Sequence, residues 1–347
     1  MIIRPIREDE KDRYNSVVGH PLQRWEWGEF RKRTGVAVER VGFYQNNTLK
    51  SALQVTFHPL PNIPLFAGKT IGYLPKGPMP DEDQLAAIRQ LGAKHNAVFV
   101  KLEPNVSRPI TATSAHQSIT DFLTENGAVR GKPLFTKYSF VLDLSPTQET
   151  LFENLNSKTR YNVRLALKKG VEIFENTSIE GVEQFIAILQ ETTQRQAFYA
   201  HSPSYFRDMW KTLGKSGMIR IFNAVYQDTV LASWIVFVTN DTLYYPYGSS
   251  RSVHRDVMAS NLLMWEMIVL GKKEGCTSFD MWGSLGPKPD KTDAWYGFHR
   301  FKKGYGGELR EFIGTYDLVL NHQLYPWYRR GEALRWQYLR LRKKLPF

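Results

Sequence analysis

The strongest constraint on this chain is that it contains one structural plan twice. The segment from Tyr44 to Ala52 (YQNNTLKSA) is echoed from Tyr226 to Ser233 (YQDTVLAS), and each is a short polar turn between strand-forming runs. Both turns follow an amphipathic segment ending in glycine, and both precede a strand rich in tyrosine and glycine, a helix and another strand. The sequence therefore predicts two similar α+β units with mostly antiparallel sheets. A cleft between such units is a common place for a substrate site.

The 347 residues are enough for two separate cores. An alternating strand pattern at residues 138–144 is followed by Ser145 and Pro146, which predict a helix with Ser145 as its N-cap. We place the boundary there, with an N-terminal domain at 1–144, a C-terminal domain at 145–324 and a basic helix at 325–347.

The basic C-terminal helix is predicted from its amphipathic pattern. Leucine and tyrosine recur at helical spacing between arginines and lysines, at positions Leu334, Tyr338, Leu341 and Leu345. One interpretation packs this apolar stripe on the second domain and leaves the cations in solvent. Another places the stripe on an anionic membrane surface. The pattern fits both.

The charge of the chain predicts an anionic partner. A formal charge of +12 and a pI near 9.5 suit nucleic acid, phosphorylated small molecules or an anionic membrane surface. No apolar run approaches the roughly 20 residues that span a bilayer, and the N-terminus does not resemble a signal peptide, so we expect a cytoplasmic protein. The single cysteine, Cys276, excludes an internal disulfide and a multi-cysteine metal site, and is expected to be a buried structural thiol.

Three segments contain candidate functional residues. Arg160, Arg164 and Lys168 recur every four residues, which predicts one basic helix face, either solvated or anion-binding. The segment 297–308 surrounds two lysines with glycines, as in a loop that approaches a ligand, although such segments are more often plain turns. Arg31 lies off the apolar stripe of its helix and could reach a phosphate. Motifs for serine hydrolases, zinc proteases, Walker nucleotide sites and the coenzyme A pyrophosphate turn of acetyltransferases are absent from the sequence.

Six separated blocks, in order, resemble the Fem family of peptidoglycan aminoacyltransferases (FemA, FemB and FemX types). The blocks are residues 23–33, 72–78, 158–170, 245–250, 279–283 and 301–307. The resemblance implies a tandem pair of GNAT-like (acyl-CoA N-acyltransferase-like) domains. It also implies transfer of an amino acid from aminoacyl-tRNA to the side-chain amine of a peptidoglycan stem peptide.

The resemblance further implies the partners and part of the site. No cofactor is expected, because aminoacyl-tRNA is the co-substrate, and the acceptor is a UDP-linked or lipid-linked muropeptide. Apart from the resemblance, we expect a monomer, and peripheral contact with an anionic membrane is one of the two interpretations of the C-terminal helix. Lys302 is implied to stabilise charge at the reacting end. The resemblance implies substrate contacts at Arg31, Tyr205, Tyr247 and Lys303. His201 is a further substrate-binding candidate, and it departs from the family pattern near a place where arginine is expected.

Other roles rest on weaker signals. Arg160, Arg164 and Lys168 are phosphate-binding candidates, and Asp280 is a hypothetical general base that would serve equally well as a structural hydrogen-bond acceptor. The chain departs from the family pattern in lacking the long coiled-coil arm of some FemA-type members and in having Met258 where an aromatic residue is expected. Two alternatives stay open: an N-acyltransferase with another acyl donor in surface-polysaccharide assembly, and a non-catalytic module that binds RNA or membrane.

Overall fold

A computed structural model describes residues 1–112, 117–196 and 200–344. Its strands are β1 (Ile2–Pro5), β2 (Ala37–Gln45), β3 (Thr48–Pro59), β4 (Thr70–Pro75), β5 (Ala97–Glu103), β6 (Ser107–Pro109), β7 (Ala128–Arg130), β8 (Tyr138–Asp143), β9 (Glu172–Glu175), β10 (Ile219–Tyr226), β11 (Thr229–Thr239), β12 (Thr242–Ser250), β13 (Ser278–Asp280), β14 (Glu308–Phe312) and β15 (Tyr316–Val319). Its helices are α1 (Lys11–Val17), α2 (Trp25–Arg33), α3 (Glu82–Lys94), α4 (Gln117–Glu125), α5 (Gln148–Glu153), α6 (Ser157–Lys169), α7 (Ile179–Gln196), α8 (Pro203–Leu213), α9 (Ala259–Lys273), α10 (Tyr296–Lys303) and α11 (Tyr325–Lys344).

Two sheets organise these elements. The first has the order β1-β2-β3-β4-β5-β15-β7, and the second has the order β6-β14-β8-β13-β12-β11-β10-β9. Each sheet contains one parallel pair, β4 with β5 and β12 with β13, while the other pairs are antiparallel. The predicted α+β class with mostly antiparallel sheets is therefore confirmed.

The duplicated hairpins are confirmed in detail. In the first, Asn46 and Asn47 have φ of 48° and 60°, and in the second, Gln227 and Asp228 have φ of 46° and 59°. Positive φ at both central residues is typical of the two-residue turn that matches the twist of a hairpin. Each hairpin also has a register irregularity close to its turn. The same local chemistry has thus built the same turn in both halves.

The sheets divide the chain differently from the predicted boundary at residue 144. Strand β8 lies before that boundary but pairs with β13 and β14 in the second sheet, and β6 also joins the second sheet. Strand β15, from the second half of the chain, lies between β5 and β7 in the first sheet. There, Asp317 of β15 forms a buried ion pair of 2.7 Å with Lys101 of β5. Local sequence patterns can indicate a strand, but they do not show that it pairs with another strand about 200 residues away.

Two local expectations are corrected. Thr147, and not Ser145, caps α5 and accepts a hydrogen bond from the Thr150 backbone, while Ser145 bonds Asp143 instead. Lys302 and Lys303 lie on the last turn of α10 and not in a glycine loop. The expected burial of Cys276 is confirmed. Gly170 ends α6 with a φ of 83°.

Helix α2 links the first half of the chain to the second. Its Trp27 and Phe30 belong to a core cluster otherwise formed mainly by α7, α8 and strands β10 to β12. The Trp27 ring lies 6.1 Å from Phe237, and the Phe30 ring lies 5.0 Å from Tyr205 in an edge contact. Burial of two large aromatic rings holds this helix against the second sheet. The next residue, Arg31, is thereby brought to α8.

Candidate active site

Four charged residues from both halves of the chain are linked by electrostatic interactions, and we call them the central charge cluster: Lys76, Glu103, Asp280 and Lys302. Lys76 follows β4, while Glu103 and Asp280 are the last residues of β5 and β13. These are the carboxyl ends of strands in the two parallel pairs, where α/β sheets commonly bind ligands. Burial lowers the pKa of both lysines, and the charge of the Asp280 carboxylate offsets part of that lowering in each.

Lys302 is the most strongly perturbed member of the cluster. Its side chain is buried, and Nζ donates hydrogen bonds to the carbonyl oxygens of Trp282 (2.9 Å) and Gly283 (2.8 Å). Burial lowers its pKa to about 7, and the attraction of Asp280 only partly offsets this. Near neutral pH, Lys302 can therefore exist in either protonation state.

The turn that receives Lys302 has an unusual backbone. Trp282 and Gly283 have φ of 54° and 83°, so two successive residues are left-handed. Asp280 holds this turn, because its Oδ1 accepts hydrogen bonds from the Trp282 backbone (2.8 Å) and the Ser139 hydroxyl (2.5 Å). Asp280 thus has the structural role that the sequence left open. Its Oδ2 has no hydrogen-bond partner among the described residues and is free for substrate.

Lys76 is a buried cation whose contacts within the described part of the chain are aromatic. Its Nζ lies 3.3 Å from the centroid of the Phe312 ring and 5.4 Å from that of Phe135, with no hydrogen bond or ion pair to another described residue. Its own φ is 50°. Burial lowers its pKa to about 8, against the attraction of Asp280 and Glu103. A ring face compensates an ammonium only in part, so an anionic substrate group is a favourable partner.

Glu103 connects the cluster to a second group of residues. Its Oε1 accepts hydrogen bonds from the Thr315 hydroxyl (2.6 Å) and the Leu134 backbone (2.8 Å). Its other oxygen accepts a hydrogen bond from the Tyr73 hydroxyl. Burial and the charge of Glu103 raise the pKa of Tyr73 well above its ordinary value, while Arg31 opposes that rise. Tyr73 therefore lies between the central charge cluster and Arg31.

Arg31 and four aromatic residues form a group that we call the tyrosine site: Arg31, His58, His201, Tyr205 and Tyr247. The His201 ring stacks on Tyr205 at 3.9 Å between centroids, and the hydroxyls of Tyr205 and Tyr247 are 3.3 Å apart. Burial, followed by the Arg31 charge, lowers the pKa of His58 to about 4 and also lowers that of His201. His58 is therefore neutral at pH 7, and the lowered pKa of His201 favours its neutral form, so Arg31 supplies positive charge to this site.

The structure brings together most of the residues predicted from the sequence. Arg31, His201, Tyr205 and Tyr247 share the tyrosine site, and Lys302 lies with Asp280 in the central charge cluster. Sequence reasoning missed His58 and Glu103, and it included Tyr73 and Lys76 in the block 72–78 without giving either a role. One signal was present: Lys76 and Glu103 lie at the carboxyl ends of neighbouring strands.

The basic face of α6 lies apart from both groups. Arg160 donates hydrogen bonds to the backbone oxygens of Glu153 and Leu155 and so closes the end of α5, while the Arg164 guanidinium lies 5.2 Å from the Phe152 ring. Lys168 is exposed. The N-terminal end of α6 adjoins α10, because Asn156 N donates to Gly304 O at 2.9 Å, which places it next to exposed Lys303. A phosphate-binding role for this face stays a prediction.

Within the described ranges, no group of three or more histidine, cysteine, aspartate or glutamate side chains is arranged to hold a metal ion. The two groups of residues present ammonium, guanidinium, carboxylate, imidazole and phenol groups. Two buried lysines with lowered pKa beside a partly satisfied carboxylate are typical of sites where charge develops during a reaction.

A model of the FemAB family matches residues 6–224, which is more than half of the chain. This chain belongs to the FemAB family. A second model, of the acetyltransferase (GNAT) domain, matches residues 157–296, which contain α6 to α9 and strands β9 to β13. The two matches agree with the tandem arrangement of two acetyltransferase-like sheets.

Curated relatives of this FemAB-family chain are similar over almost their whole length. The lipid II:glycine glycyltransferase of Staphylococcus haemolyticus (strain JCSC1435) is 22% identical, covering 92% of this chain and 93% of the relative. The enzyme of the same name from Staphylococcus aureus (strain USA300) is also 22% identical over the same shares. These alignments span 404 and 403 positions against 347 residues, so the relatives contain inserted segments that this chain lacks.

Solved structures confirm the fold. The crystal structure of FemX has a TM-score of 0.82 at 20% identity and covers 94% of this chain and 99% of its own. A tandem GNAT protein from the clavulanic acid biosynthesis pathway has a TM-score of 0.55 at 13% identity, covering 91% of this chain and 97% of its own. The predicted tandem GNAT-like architecture is therefore confirmed.

Proposed function

We propose that this protein transfers an amino acid from aminoacyl-tRNA to the side-chain amine of a peptidoglycan stem peptide, as a step in building the cross-bridge. A FemAB-family chain with a GNAT domain is an acyltransferase, and relatives similar over nine-tenths of the chain are named for glycyl transfer to lipid II. The observation that carries the proposal is that two buried lysines from the two halves of the chain, Lys76 and Lys302, both interact with Asp280. That cluster is suited to a reaction in which an ester becomes an amide.

The tyrosine site is proposed to hold the muropeptide. A UDP-linked and a lipid-linked precursor both contain a pyrophosphate, and the Arg31 guanidinium is suited to such a group because it donates several hydrogen bonds in one plane. The hydroxyls of Tyr205 and Tyr247, 3.3 Å apart, supply further donors for phosphate or sugar oxygens. Tyr73 and Glu103 then lead from this site towards the central charge cluster, along which the stem peptide would extend.

The transfer step needs little covalent assistance from the protein. The acceptor amine nitrogen attacks the ester carbonyl carbon of aminoacyl-tRNA, a C–N bond forms, and the C–O bond to the terminal ribose breaks. The amine loses a proton and the ribose oxygen gains one, so no external acid, oxidant or cofactor is consumed. Because the ester is already activated, positioning and oxyanion stabilisation can supply most of the acceleration.

Lys302 and Asp280 have complementary parts in this step. Two hydrogens of the Lys302 ammonium are held by backbone carbonyls, which leaves the third for the oxyanion of the tetrahedral intermediate. The Oδ2 of Asp280, without a partner among the described residues, can accept the proton of the attacking amine. Lys76 adds a second cation for negative charge on the substrates. One chain supplies both halves of the proposed site, so a monomer is sufficient for this step.

Transfer of labelled amino acids from a charged tRNA pool to UDP-linked and lipid-linked muropeptides tests the proposal. Wild type should place label in one of the acceptors, and ribonuclease treatment of the charged tRNA should abolish it. Transfer from an acyl-coenzyme A donor and none from charged tRNA would instead identify another acyltransferase. Absence of product with both donors, from protein whose circular dichroism is native, would contradict an acyl-transfer role.

A further inference from the structure

Helix α11 presents apolar side chains to solvent on the face that points away from the protein. Trp327 is 52% exposed and Leu334 is 65% exposed, and their spacing of seven residues places both on one side of the helix. In the sequence, tyrosine and leucine recur at helical spacing after Leu334, at positions 338 and 341. Large apolar residues in a row on a surface mark an interaction site more often than scattered ones.

The opposite face of α11 attaches the helix to the first sheet. The rings of Tyr325 and Tyr328 lie 5.3 Å and 4.9 Å from that of Phe99 on β5. The Tyr325 hydroxyl also donates to Asp317 Oδ2 on β15 at 2.9 Å. This contradicts the interpretation in which Leu334 packs on the second domain. The inward face is aromatic and polar, so the apolar stripe is left for something outside the chain.

Cations border this exposed stripe. The Arg330 guanidinium lies 5.1 Å from the Trp327 ring, and both Arg330 and Arg335 are exposed. From residue 325 to 347 the sequence contains seven arginines and lysines and one acidic residue, Glu332. A helix with tryptophan and leucine on one face and arginines beside them matches the composition of helices that lie in the interface of an anionic bilayer.

We propose that the outer face of α11 docks on the surface of an anionic lipid bilayer. The helix lies on the membrane and does not cross it, since no helix within the described residues is long and apolar enough to span a bilayer. The phosphates of RNA could also bind the arginines, but they would make few favourable contacts with the leucine and tryptophan between them. The inference rests on the proposed function in one respect: a lipid-linked acceptor is held at such a surface.

Co-sedimentation with phosphatidylglycerol-rich and with pure phosphatidylcholine vesicles tests the proposal on the full chain. Wild type should bind the anionic vesicles and bind the neutral ones at least about tenfold more weakly, and added salt should reduce the difference. The double variant Trp327→Ser with Leu334→Ser should lose about tenfold or more of its affinity for anionic vesicles. Equal binding of wild type and this variant would overturn the proposal.

A matched control distinguishes vesicle binding by the α11 stripe from binding by any exposed apolar side chain. Ile63 and Phe174 are 47% and 50% exposed and lie outside α11, so Ile63→Ser with Phe174→Ser removes similar side chains and should keep wild-type vesicle binding. Loss of tRNA affinity with unchanged vesicle binding in the α11 variant would assign the face to RNA and refute membrane docking. Because the vesicle assay does not involve transfer, it remains decisive even if the proposed reaction fails.

Discussion

The burial of Lys302 predicts how the stability of the protein depends on pH. Between about pH 7 and pH 10.5, its folded and ordinary pKa values, the unfolded chain binds more protons at this position than the folded chain. The free energy of unfolding of wild type should therefore rise with pH relative to that of Lys302→Met, by up to about 1.4 kcal/mol per pH unit. Urea unfolding of both proteins at several pH values from 7 to 10 measures this difference.

The control for this comparison is Lys50→Met, at an exposed position of β3. Its unfolding free energy should track that of wild type over the whole range. A Lys302→Met variant that tracked wild type in the same way would mean that Lys302 keeps an ordinary pKa in the folded protein.

Lys76 should matter for activity and not for folding. Lys76→Met removes a buried cation that has no hydrogen bond or ion pair to another described residue, so its stability should equal or exceed that of wild type. Its kcat/KM for aminoacyl transfer should fall by about 10²-fold, the scale of losing one preorganised electrostatic contact. Chemical unfolding and steady-state transfer kinetics, with Lys50→Met as the exposed control, measure both quantities. Normal activity in the variant would remove Lys76 from the site.

The site residues differ in how far the sequence could reveal them. Lys302, Arg31 and Tyr247 lie in blocks that resemble a family, so the sequence pointed to them, and Tyr205 was named from a short segment outside those blocks. Lys76 lies in such a block too, but its importance comes from burial without a hydrogen-bonding partner, which only a three-dimensional arrangement shows. The glycines around Lys302 suggested a loop, whereas the lysine lies on a helix and reaches a strained turn twenty residues earlier in the chain.

On helix α6 and the adjoining end of α10, we expect the lysines to affect tRNA binding and Arg160 to affect the stability of the fold. Lys168→Ala and Lys303→Ala should each reduce the slope of log affinity against log salt for tRNA by about 0.7 to 0.9, as expected for one lost phosphate contact. Arg160→Ala should instead lower the free energy of unfolding by about 1 kcal/mol, because two carbonyls at the end of α5 lose their donor. Filter binding from low to high salt and thermal unfolding measure these effects. Unchanged slopes in both lysine variants would exclude this face from tRNA binding.

The elements themselves were largely predictable, and their boundaries were less so. The duplicated hairpins follow from local turn chemistry, since Asn46 and Asn47 tolerate the left-handed backbone that the turn requires. The start of α5 was misplaced by two residues, because Ser145 and Thr147 are both good capping residues and the choice depends on what Asp143 binds. Such competition between neighbours is decided by geometry that the sequence does not display.

The exchange of strands between the two sheets predicts that the halves do not fold separately. A fragment of residues 1–144 lacks β15, which separates β5 from β7 and contributes Tyr316 and Leu318 to the first core. It also contains β6 and β8 without their partners in the second sheet. The fragment should aggregate or show no cooperative unfolding, whereas the whole chain should unfold in one transition. Cooperative thermal unfolding of the soluble fragment would contradict this prediction.

We propose that both halves of the molecule contribute to one site, with acceptor binding at Arg31 and charge stabilisation at Lys302. The most direct test is a comparison of steady-state transfer kinetics for Arg31→Met and Lys302→Met with the muropeptide concentration varied. We predict that Arg31→Met mainly raises the KM for muropeptide, while Lys302→Met lowers kcat by about 10²-fold or more. Kinetics for both variants that match those of Lys50→Met would contradict the account.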